Sequence, residues 1–82
     1  MSYTAVEALM LKDRAKAIEL GIEPWLLAHI EEELTKSKRL KKKSKDAKRT
    51  PEDCHRDYTA AIEALRDAWR LLAAFIKAKG ES

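Results

Sequence analysis

Disulfide chemistry is the first thing this sequence lacks. Its 82 residues contain one cysteine, Cys54, and a single thiol cannot bridge within its own chain. One free thiol fits a reducing compartment. The chain begins MSYTAVEALMLKDRAK, with no basic start leading into an apolar core, so no leader is expected. Its longest purely apolar run, Leu71 to Ile76, is far too short to span a bilayer. A soluble, cytoplasmic protein is expected. Glycine and proline are scarce at two residues each, which leaves little for the turns of a β-rich fold or for a flexible linker.

Chemistry-bearing clusters are scarce too. Cys54, His29 and His55 have no paired metal-ligand spacing, and a structural zinc site usually needs four Cys or His ligands. Cys54 and His55 are neighbours, and neighbours on a helix point to different sides. A nucleophile and base are therefore not expected there. No glycine-rich phosphate cradle is present, and Glu31, Glu32 and Glu33 spread around a helix without forming a carboxylate pair. The expectation is no enzyme, no catalytic residue, no cofactor and no metal.

What the chain does have is helical patterning. Thr50 to Gly80 is the organising stretch. Thr50 is a good N-cap, Pro51 suits the first helical position, and Glu52 and Asp53 complement the helix dipole. Gly80 is the expected stop. Tyr58, Ile62, Leu65, Trp69, Leu72 and Ile76 follow at alternating gaps of four and three, a heptad seam. A second row, Ala64, Leu71 and Ala78, suggests a second partner. A helix of this length would be about 43 Å long at 1.5 Å per residue and would overhang a compact domain of this size. The seam is therefore the expected interface of a homodimer, a common remedy for a small core.

Upstream, Thr4 and Glu7 have capping-box spacing. They predict a helix from about Ala5 to Leu20, ended by Gly21, with Ala8, Leu11, Ala15, Ile18 and Ile22 on its inward face and Val6, Leu9 and Met10 broadening that face. Pro24 should open a second helix that carries Trp25, Leu26, Leu27, Ile30 and Leu34 inward. Trp25 has a second reading, as an exposed anchor for a partner. The fold class expected is all-α, one domain of two shorter helices followed by one long C-terminal helix. Residues 1–35 form a helix pair, 36–49 a basic connector and 50–80 the long helix.

Charge is unevenly spread. The formal net charge is +3, yet residues 36–49 hold nine basic residues against one acid, Asp46. The rest of the chain is net acidic. Lys36, Lys38, Arg39, Lys41, Lys42, Lys43, Lys45, Lys48 and Arg49 are the expected partner-binding cations, joined by Trp25 and His29. Lysine in this density attracts phosphate or an acidic protein surface. No aromatic residue interrupts the run, so stacking on unpaired bases is not expected.

The segment Asp13 to Glu32, DRAKAIELGIEPWLLAHIEE, resembles the helix-turn-helix of bacterial and phage DNA-binding proteins. Small Ala17, Leu20-Gly21-Ile22 at the turn, and apolar Leu27 and Ile30 carry the resemblance. It implies a second helix in the major groove. The groove-facing positions would include Glu23, Trp25, Ala28, His29 and Glu32, where acids meet phosphate repulsion and no Arg, Asn or Gln reads bases. The function expected is a small regulatory or inhibitor protein, of a kind common among phages and mobile elements, acting on a host protein. Nucleic-acid binding is the alternative.

Overall fold

A computed structural model describes residues 2–81. It is all-helical among those residues: α1 spans Tyr3–Glu19, α2 Pro24–Lys43 and α3 Pro51–Glu81. Both α1 and α2 pack on α3. Tyr3 lies by Tyr58 and Asp13 by Trp69, so α1 runs parallel to α3. Tyr3 also meets Ser37, and Arg14 pairs with Glu31, so α2 runs antiparallel to α1. The result is an up-down-up bundle of 49 × 23 × 14 Å. Its Cα radius of gyration of 14.2 Å exceeds the ~12 Å of a compact chain this size.

Local chemistry sets the helix ends. The α1 cap is Ser2, whose Oγ accepts the Ala5 N–H at 3.3 Å. The expected box at Thr4 and Glu7 is not used, because the chain is already helical at Tyr3. At the other end the Gly21 N–H bonds the Ile18 carbonyl and the Ile22 N–H bonds the Ala17 carbonyl, both at 3.1 Å. Those are the two bonds of a Schellman motif, and Gly21 has the positive φ, 84°, that the motif needs. Ile22 and Ala17 are both buried, the apolar contact that accompanies the motif. Pro24 opens α2 as expected. Thr50 Oγ1 accepts the Asp53 N–H and so caps α3. Gly80, the expected stop, is instead carried inside α3.

The core differs from the sequence expectation on α1. Val6 and Met10, expected only to broaden the inward face, are its buried centre together with Tyr3 and Ala17, whereas Ala8, Leu11, Ala15 and Ile18 are exposed. Both sets have helical spacing, so periodicity cannot choose between them. The buried set places Tyr3 and Asp13 where polar partners wait on α2 and α3. Ile22, expected with the outer set, turns into the core after Gly21. Trp25 is not carried inward but stands 71% exposed, the position of its second reading, while Ile30, Leu34 and Ser37 form the buried side of α2.

The α3 seam is covered by the chain's own α1 and α2. Leu65 and Leu72 are fully buried, and Tyr58, Ile62, Trp69 and Ile76 are half-buried against the core. The expected subunit interface therefore lies in the core of one chain. At about 46 Å for α3 against ~26 Å for α1 and ~30 Å for α2, α3 does overhang. Its overhang, Lys77 to Gly80, is exposed and carries two lysines and no large apolar side chain, so it leaves no bare seam. Of the second row, Ala64 is buried, Leu71 half-buried and Ala78 exposed.

Candidate functional site: the outward face of α2

Lysine favours helix, and α2 runs unbroken through the first half of the basic segment to Lys43. Ser44 ends it, its hydroxyl donating to the Lys41 carbonyl oxygen. This continuity has a geometric consequence. Trp25, His29, Glu32, Lys36, Arg39 and Lys43 follow at gaps of four, three, four, three, four and are all exposed. They form one outward stripe about 27 Å long. The aromatic end and the cationic end of the expected partner surface are thus joined on a single rigid element.

A second cationic row flanks this stripe. Lys38, Lys41, Lys42 and Lys45 line a shallow cleft of ≈ 330 Å³ beside Tyr3 and Glu7. Lys41 Nζ lies 4.3 Å from the centroid of the Tyr3 ring, a cation–π contact that holds this lysine against the bundle. Beyond α2 the chain turns through Lys45 and Ala47. The Asp46 carboxylate accepts the Lys48 backbone N–H at 2.9 Å.

Arg49 stands apart from the other cations. It pairs with Asp57, and that hydrogen bond, partly offset by desolvation, raises its pKa above the ordinary value. It acts as a strut between the turn and α3. Among the described residues the remaining cations of 36–49 have no carboxylate partner. Sequence reading could not separate Arg49 from its neighbours, because its partner lies on the next helix. Ser37 was also missed as a structural residue, since serine between lysines looks like surface.

The other chemistry-bearing side chains are dispersed. His29 is on the α2 stripe and His55 is exposed in the second turn of α3. Cys54 is half-buried, with its thiol 3.5 Å from the Asp46 carbonyl oxygen. No described helix is long and apolar enough to cross a membrane. No family model, curated protein or solved structure matches the chain.

Proposed function

We propose that this chain is a non-enzymatic regulatory protein that acts, as a homodimer, by occupying an acidic surface of a protein partner. The observation that carries this reading is the α2 stripe, with an exposed tryptophan at one end and unpaired cations at the other. Tryptophan anchors and complementary charge are what protein interfaces use for affinity and for fast association. The exposed Trp25 and the lack of Arg, Asn or Gln at the groove-facing positions favour a protein over a duplex.

Nucleic-acid binding through the basic segment and the helix-turn-helix-like segment is the second reading. It is favoured by the cations that lack carboxylate partners, which suit counterion release from a duplex.

Capture from lysate, with and without nuclease, separates the two. The wild type should retain an acidic protein after nuclease treatment, and Trp25→Ala should lose it. Capture that vanishes with nuclease, together with tight duplex binding by the purified protein and a steep salt slope, overturns the protein reading.

A further inference from the structure

The outward face of α1 carries a heptad pattern that the fold leaves uncovered. Thr4, Ala8, Leu11, Ala15 and Ile18 succeed one another at gaps of four, three, four and three, and all are exposed. Leu11 is 46% and Ile18 47% exposed. With Trp25 they are the large apolar side chains that the described residues leave in water. An apolar series on a helix already packed by its opposite side marks an interaction face.

The charges beside this face indicate what covers it. With Ala8 and Ala15 at the a positions, Leu11 and Ile18 take d, Glu7 and Arg14 take g, and Lys12 and Glu19 take e. In a parallel, in-register pair of helices each g residue faces the e residue five positions later on the other chain. Here those pairs are Glu7 with Lys12 and Arg14 with Glu19. Both are attractive, and twofold symmetry doubles them. Arg14 already pairs with Glu31, so Glu7 with Lys12 is the pair on which the charge argument chiefly rests. An antiparallel pair centred on the same face would instead bring Lys12 towards Lys12 and Arg14 towards Arg14. The spacing and the charges point to the same occupant.

We propose that the outward face of α1 is the contact between two copies of this chain, with the two α1 helices parallel and in register. This rests on the homodimer reading above and moves the contact from α3 to α1. It is independent of what the lysines bind. Leucine and isoleucine layers alternate with alanine layers, which let the helices approach closely. One helix of this length is a small interface, so the dissociation constant should be roughly micromolar or weaker. Because Tyr3 and Lys41 are at the same end, a parallel pair sets both lysine-rich ends side by side. A partner with two acidic patches would then be held by both.

The test combines mass with position. Light scattering of the intact chain from low to high micromolar concentration should show monomer passing to dimer. Thr4→Cys in a Cys54→Ser background leaves the apolar layers whole and places a thiol at a d position. Mild oxidation should link that variant to itself, as the parallel register requires. Glu7→Lys should weaken the dimer by about tenfold, and Glu7→Lys with Lys12→Glu should recover it. A monomer at every concentration overturns both the homodimer reading and this face. A dimer that neither links at Thr4→Cys nor responds to the charge variants overturns the α1 face and leaves the copy number standing.

Discussion

Ser37 shows how much one small side chain can decide. It is fully buried, and its single hydroxyl proton goes to the Ala61 carbonyl oxygen 2.6 Å away. Its Oγ also lies 3.1 Å from the Tyr3 phenol, which has a proton to give. One oxygen thereby ties α2 to both other helices. Ser37→Ala leaves the Tyr3 hydroxyl buried without that partner and should cost about 1–2 kcal/mol in denaturant unfolding. No loss would mean the contact is made equally well by water. Trp69 works in the same way from α3, donating from Nε1 to Asp13 at 2.7 Å. Trp69→Phe keeps most of the apolar contact but drops a bond to a charged acceptor, and should cost about 1.5–3 kcal/mol. Asp13→Asn in the Trp69→Phe background should then add little, because the two changes remove one interaction.

At the scale of the element, the two glycines should respond in opposite directions. Gly21 has positive φ, and although an added Cβ would meet nothing within 4 Å, the backbone conformation itself is unfavourable for alanine. Gly21→Ala should cost about 1–2 kcal/mol. Gly80 lies inside α3, so Gly80→Ala should be neutral or stabilise by less than about 1 kcal/mol. Thermal melts of the two variants check both signs. Helix starts at Pro24 and Pro51 were legible in the sequence because proline fixes φ, and Gly21 was legible as a stop for the same kind of reason. Gly80 was not, since a terminal glycine reads alike inside and outside a last turn. The inward face of α1 was not legible either. Val6 and Met10 compete with Leu11 and Ile18 on equal spacing, and the choice is made by the Tyr3 and Asp13 side chains finding Ser37 and Trp69, 34 and 56 residues away. The α2 stripe was half legible. Its residues were singled out and lysine's helix propensity allows α2 to reach Lys43, but their alignment also rests on Leu40, which packs against the core within the lysine run.

At the scale of the whole molecule, the basic end should be separable from the fold. Lys42, Lys43 and Lys45 are exposed and Lys41 half-buried, so replacing all four with Gln should cost little beyond the Lys41–Tyr3 cation–π contact, about 0.5–1 kcal/mol. On an acidic protein the variant should lose chiefly association rate, most clearly at low salt. On duplex DNA, removing each lysine that touches a phosphate would flatten the log–log salt slope by about one unit. Unchanged binding to every partner would count against both readings. The bundle's proportions carry a different consequence. Its three helices share the 49 Å axis, and amide N–H bonds in a helix point along the helix axis. Nearly every amide in the chain therefore points along one line, either up or down. Dipolar couplings do not distinguish up from down. In a weakly aligned sample the helical amides should show couplings of one sign and similar size. The turn at 44–49 should be visible as the break in that uniformity, and a parallel pair of chains would keep the same pattern because it keeps the same axis.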